Sequence, residues 1–203
     1  VPTADQQPAQ SDSAAGPERA QRMPRAQRRA QILEAATRAF ARTGFAATGL
    51  DQVAAEAGVT HVILYRHFAS KSDLYRAALD RACTRLTDAV GIDDYDENSI
   101  PTLLRAAAAD PDGFRLLFRH AAREPEFRDV IDSLRTESTD IAARNVADVI
   151  PEGPWRDWAA RLLPTLTLEA VIAWLDAGRP DPDRAAERIA HAVHAVIDAA
   201  RTE

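Results

Sequence analysis

Apolar side chains recur along this chain at three- and four-residue intervals from about residue 24 to the C-terminus, and no stretch of useful length alternates as a strand would. That interval is the period of helices. Ile32, Ala35, Ala36, Ala39 and Phe40 form one stripe, and Gly44 followed by apolar Phe45 is placed to end it, predicting a first helix over about 24–43. Leu50, Val53, Ala54 and Ala57 predict a short second helix, capped by Thr48 and closed by Gly58. The third helix follows Thr60, with Leu64 and Phe68 turned inward and His61, Val62, Tyr65 and Arg66 left on the outer side. Ser70 and Asp73 make a capping-box variant that opens a fourth helix, carried by Leu74, Ala78, Ala82, Leu86 and Ala89 to about Val90.

The acidic, turn-like stretch from Gly91 to Asn98 interrupts the pattern. Further helices are predicted near 99–109, 111–122 and 125–150, two of them opened by Asp110-Pro111 and Glu124-Pro125. A long apolar helix is expected from about Trp155 to Ala177, kinked at Pro164. The last helix starts after Asp181-Pro182 and carries Ile189, Val193, Val196, Ile197 and Ala200 on one stripe. The fold class is therefore all-α, a three-helix N-terminal unit followed by a larger C-terminal helical domain. The organisation expected is an arm over 1–23, a helix-turn-helix unit over 24–70 and a C-terminal domain over 71–203, with the fourth helix (about 71–90) as connector. The arm is polar and rich in Gln, Ser, Ala and Pro, a composition that does not order itself.

Composition agrees with packed helices: 42 residues are alanine and only 8 are glycine. The single cysteine, Cys83, forms no internal disulfide, which points to a reducing compartment and a cytoplasmic location. The arm has no apolar stretch of the kind a secretory signal needs, and no apolar run approaches a membrane span of about 20 residues.

The net charge of −6 argues against a polycation that binds nucleic acid over its whole surface. Its distribution changes that picture. Residues 19–71 hold nine Arg and Lys against three acids, a sum of +6, which leaves 16 basic and 28 acidic residues, −12, elsewhere. A basic unit on an acidic body steers one end toward phosphate.

Two short helices joined by Ala57-Gly58-Val59-Thr60 have the spacing of a helix-turn-helix. The run Ala57-Gly58-Val59-Thr60-His61-Val62-Ile63-Leu64-Tyr65-Arg66-His67-Phe68, followed by Ser70-Lys71-Ser72-Asp73-Leu74, closely resembles the DNA-binding domain of the TetR family of bacterial transcriptional regulators. Ile32 to Ala36, Phe40, Gly44 and Phe45 resemble that family's first helix, so the likeness covers about residues 28–80. A weaker likeness, Trp174 to Pro180, is similar to the junction before the family's last helix.

The resemblance implies an all-α homodimer that reads a double-stranded, inverted-repeat DNA operator and holds a small-molecule effector in its C-terminal domain. It implies phosphate contacts from Thr48 and Thr60, backbone contacts from Tyr65, His67 and Lys71, and approach to base edges by His61, Val62 and Arg66. Arg28, in the arginine cluster 19–29, joins them as a DNA contact. The chain departs from the family pattern at Val62-Ile63, where small or hydroxylated residues are usual; these two apolar groups suit thymine methyls instead.

In the C-terminal domain Phe114, Leu117, Phe118, Trp155, Trp158 and Leu162 are the candidate ligand-pocket residues, with core packing as the alternative for each. Arg119 and His120 are the polar groups nearest them in sequence. Glu187, His191 and His194 share a helix face, a spacing compatible with a metal but equally with an interface, and neither a metal nor another cofactor is expected. No nucleophile–base pair or phosphate-cradling glycine loop argues for an enzyme. The function expected is a repressor released from its operator by an effector; the alternative is a DNA-binding regulator without a small-molecule ligand, governed by a protein partner or acting as an activator.

Overall fold

The computed structural model describes residues 23–91 and 95–201, so the expected arm lies almost wholly outside the described residues. Among those described, nine α-helices and no strand are present: α1 (Arg25–Ala47), α2 (Leu50–Glu56), α3 (His61–His67), α4 (Lys71–Val90), α5 (Ser99–Ala109), α6 (Pro111–Arg115), α7 (Arg128–Asn145), α8 (Pro154–Asp176) and α9 (Pro182–Arg201).

Where the helices depart from the expected bounds, the cause is local. Helix α1 spans Arg25–Ala47, but Gly44, at φ 78°, ψ 177°, breaks its helical geometry where the sequence places the end, and a short further turn to Ala47 follows the kink. That φ favours glycine, and a Cβ there would lie 3.1 Å from His120 Nδ1. The helix expected over 111–122 is built in three pieces: α6, a π-helical turn Leu116–His120, and a 3₁₀ turn Ala121–Arg123. Glu124 is then extended, at φ −99°, ψ 108°, as a residue before proline tends to be. A second 3₁₀ turn, Pro125–Phe127, leads into α7, which stops at Asn145 instead of continuing to 150. Helix α8 runs through Pro164 as one element of 23 residues.

Helix α8 matches a bilayer-crossing helix by length and composition only, a test that the core helix of a helical body also passes. It is packed by α7 along one side and α9 along another, with α5 also against it. Ala159, Ala160, Leu163, Val171, Ile172 and Leu175 are buried there.

The largest core does not stop at the end of the helix-turn-helix unit. It runs from Ile32, Phe40, Val53 and Leu64 through Leu74, Tyr75 and Leu79 into Leu116, Leu117, Ala121, Phe127 and Ile131. At its centre the Tyr75 ring lies 4.8 Å from Phe40, 5.0 Å from Phe45 and 4.6 Å from Phe127, centroid to centroid. A second core joins α5, α6, α8 and α9, and a third lies between the end of α7, α8 and α9.

The Tyr75 hydroxyl is fully buried and meets no hydrogen-bond partner. Burial pushes its pKa far up, so the phenol stays neutral. A desolvated, unpaired hydroxyl opposes folding. Tyr75→Phe is accordingly expected to leave stability unchanged or raise it by about 1 kcal/mol, and urea unfolding measures this; a loss of more than about that amount would mean the hydroxyl is bonded in solution.

Candidate nucleic-acid interface

The turn between α2 and α3 is set by backbone bonds. Gly58 N–H donates to Ala55 O at 3.1 Å and Val59 N–H to Ala54 O at 2.9 Å, the paired closure of a Schellman-type helix end. Gly58 takes the left-handed φ of 62° that this closure requires. Thr60 then caps α3, its Oγ1 accepting from Ile63 N–H at 3.4 Å. Ser70 caps α4 in the same way, accepting from Asp73 N–H at 3.0 Å.

Leu64 and Phe68 are buried, as their spacing predicts, and fix the roll of α3. Val62 and Tyr65 are left 63% and 49% exposed on the outer side of α3. Arg66 is exposed beside them. His61 packs edgewise on Tyr65 at 4.8 Å and lies 3.6 Å from Asp51 of α2. Ile63 is half-buried, so it does not share the outward position of Val62.

Thr48 differs from its expected place. It is 1% exposed. Its Oγ1 donates to Gly44 O at 2.7 Å and lies 2.8 Å from Thr43 Oγ1. Helix α2 is capped by Gly49, without a side-chain bond. Thr48 thus satisfies carbonyls freed by the bend at Gly44 and is not presented to a phosphate.

The basic groups fall into two sets. Arg38 and Arg42 both bind Glu56 of α2. The Arg42 hydrogen bond holds the Glu56 carboxyl below its ordinary range, against burial and with help from Arg38. Two guanidinium groups share this one carboxylate, so the trio keeps a net charge of +1, already included in the sum of +6. Arg25, Arg28 and Arg29 cluster at the start of α1. Arg28 donates to Gln31 Oε1 at 2.9 Å, and Gln31 Nε2 donates to Ala57 O at 2.9 Å, which ties α1 to the turn. Arg29 lies over the Phe68 ring at 4.7 Å. Lys71 lies over Phe45 at 4.6 Å and donates to Ala46 O at 3.3 Å.

His67 sits at the end of α3 with its Nδ1 buried and unpartnered. Burial, then Arg25, Arg29 and Arg28, lower its pKa, which keeps the ring neutral in the free protein.

The six candidate pocket residues are not brought together. Phe114 and Leu117 line a cleft between α4, α5 and α6. Phe118 packs 4.7 Å from Phe114 at the junction of two cores. Trp155 and Trp158 are exposed and stack edgewise on each other at 5.6 Å, and Trp158 and Leu162 border a shallow depression on the outer side of α8. Among the described residues no group of three His, Cys, Asp or Glu is placed to hold a metal, and His194 Nδ1 lies 2.8 Å from Ala190 O.

Variants of buried Thr48 and exposed Arg66 test whether folding and DNA binding rest on different residues. Thr48→Val is expected to lower unfolding stability by about 1–2 kcal/mol through its lost hydrogen bonds. Arg66→Ala is expected to leave the melting temperature in place and to weaken DNA binding by about 1–3 kcal/mol. Thermal unfolding alongside fluorescence anisotropy with bound DNA reads both; an exchange of the two phenotypes would overturn this assignment.

Comparison with known proteins agrees with this geometry. Residues 32–78 match the family model of bacterial regulatory proteins, tetR family. The chain is 32% identical over 189 residues to the HTH-type transcriptional activator FasR of Mycolicibacterium smegmatis, covering 86% of this chain and 84% of that protein. It is 38% identical over 91 residues to the HTH-type transcriptional repressor SCO4008 of Streptomyces coelicolor, covering 44% and 47%. Among solved structures, a TetR-like transcriptional regulator from Rhodococcus sp. RHA1 superimposes with a TM-score of 0.72 at 23% identity, over 83% of this chain and 94% of that one, a likeness of fold. With one relative matched along most of both chains, and with the helix-turn-helix geometry in place, this chain belongs to the TetR family of DNA-binding transcriptional regulators and is not an enzyme.

Proposed function

We propose that this chain is a cytoplasmic repressor that holds an inverted-repeat operator as a homodimer and releases it when a small molecule occupies its C-terminal helices. The observation that carries this reading is the core shared between the two parts: Leu116, Leu117, Phe127 and Ile131 pack into the same cluster as Leu64 and Leu74. A rearrangement beside Leu117 is felt at the seat of α3, because close-packed interiors transmit displacement. A ligand that prefers the arrangement with misplaced reading heads then lowers DNA affinity by its differential binding energy.

The arm and the unit boundaries keep their expected assignment here: 1–23 as an arm that reaches DNA, 24–70 as the reading unit, 71–203 as the regulatory and dimerising part. The dimer is assigned to α8 and α9. Helix α8 keeps Trp155 and Trp158 exposed and Leu162 and Leu166 only partly covered in the single chain, more apolar surface than an isolated helical body favours. An activator remains the second reading, because the relative matched over most of its length carries that name.

Selection of bound DNA from a random pool tests the assignment. An inverted repeat is expected, and a unique non-repeating site would reject paired reading. Sedimentation should give a dimer, and Trp158→Asp should shift it toward monomer with loss of operator binding; a monomeric wild-type chain would reject the α8 assignment.

His67 adds a pH dependence. Neutral in the free protein, it gains a favourable charge when a phosphate arrives, so its pKa rises on binding and the complex takes up protons. Operator affinity is expected to increase as pH falls from 7.5 toward 6, by less than tenfold per reading head, and His67→Gln should flatten that slope. The same titration in the His67→Gln variant decides whether any slope belongs to another group.

A further inference from the structure

A cleft of about 370 Å³ opens between α4, α5 and the start of α6. Its walls are apolar, chiefly Ala82, Leu86, Ala106, Phe114 and Leu117. The volume lies near the lower end for small-molecule sites, and apolar walls with a few converging polar groups are their usual character. The charged groups at the cleft are Arg85 of α4 and Asp110, the cap of α6, paired at 3.1 Å.

These two groups are not equally available. Asp110 is committed through both oxygens: Oδ1 accepts from Gly113 N–H at 2.9 Å and Oδ2 from Arg85 Nη1. Its carboxylate also fills the space beside Gly113, where an added Cβ would meet it at 2.6 Å. Arg85 has a half-exposed side chain. It gives one Nη to Asp110 and the other to Glu34 of α1, at 3.0 Å. A guanidinium carries five N–H donors, so Arg85 has donors left where Asp110 has both oxygens engaged. A molecule filling this cleft is therefore matched when it brings acceptors, and a carboxylate answers the planar fork of an arginine best.

We propose that this cleft is a binding site for a compact apolar molecule bearing one carboxylate, held by Arg85. The inference rests on the reading of the chain as a ligand-responsive regulator and names the chemistry of its ligand. Arg85 is also one of two arginines of α4 that hold Glu34 of α1, the other being Arg81. A carboxylate that draws Arg85 into the cleft competes with Glu34 and Asp110 together. It loosens α1, which carries the reading head, and the cap of α6 in one step.

Isothermal titration of the full chain with matched acid and amide pairs tests the site: benzoate, phenylacetate, 4-phenylbutyrate and indole-3-acetate, each beside its uncharged amide. At least one acid is expected to bind ten times or more tighter than its amide. Arg85→Met should reduce that acid to the level of the amide. Ala106→Leu, which fills the cleft with another good helix former, should abolish binding of acid and amide while the melting temperature stays at or above wild type. Equal binding of acid and amide, no binding by any acid, or undiminished binding to either variant overturns the proposal. Operator affinity with and without the bound acid is a separate readout. An acid that binds through Arg85 and leaves operator affinity unchanged upholds the site and rejects ligand-responsive regulation.

Discussion

The arrangement of this chain depends on the seat of Tyr75. Its ring comes from α4, the helix that follows the reading unit, and it is enclosed by Phe40 and Phe45 of α1 and by Phe127 ahead of α7. Three elements far apart in sequence thereby share one aromatic cluster. Each ring buries a large apolar area, and edge-to-face contacts add to it. The hydroxyl group at the centre has no partner, so the cluster holds through shape and burial and not through a polar network. The unpaired hydroxyl opposes this closure, so the buried ring area must outweigh it.

Around this apolar junction lies a ring of ion pairs. Glu34 of α1 meets Arg81 and Arg85 of α4, Arg85 meets Asp110, and Arg76 meets Asp129. Burial alone would raise the Glu34 carboxyl; hydrogen bonds from Arg81 and Arg85 outweigh it and hold the group below its ordinary value. A carboxyl lowered in the fold contributes stability above about pH 4.5 and loses it as pH falls through the folded value. The pairs are partly exposed, so each contributes modestly and is screened by salt. Their value is positional. They add direction to contacts that hydrophobic packing leaves free to slide.

Much of this was legible in the sequence. The stripes of α1, α4 and α9 showed their period, and Gly58, Thr60, Ser70 and Pro182 marked boundaries because turns and caps restrict residue type locally. The outward group Val62, Tyr65 and Arg66 followed from the inward pair Leu64 and Phe68. What stayed hidden depends on distant contacts. A threonine before Gly-Leu reads as a cap, and nothing local told that Thr48 turns back to Gly44 O. Glu56 lies 18 residues from Arg38, and their pairing has no sequence period. Trp155 and Trp158 look like pocket residues by composition, yet the roll of α8 is fixed by Ala159, Ala160 and Leu163, which turns the tryptophans out.

The π-helical turn Leu116–His120 brings these features together. Such turns are rare in helices and are found mostly at functional sites. The chain closes this one with Ala121 N–H donating to Leu116 O. Among its contacts, His120 Nε2 lies 2.9 Å from Ala41 O of α1. That carbonyl would ordinarily take the Phe45 N–H, but the bend at Gly44 intervenes between them. Two irregularities 70-odd residues apart therefore complete each other: the bend in α1 frees an acceptor, and the widened turn supplies the donor. One residue corresponds to a rotation of about 100° on a helix, so returning the turn to regular α-helical spacing would carry His120 away from α1. Leu117, on the same turn, faces both the shared core and the cleft beside Arg85. The register of this single turn thus ties the wall of the cleft to one of the contacts that hold α1.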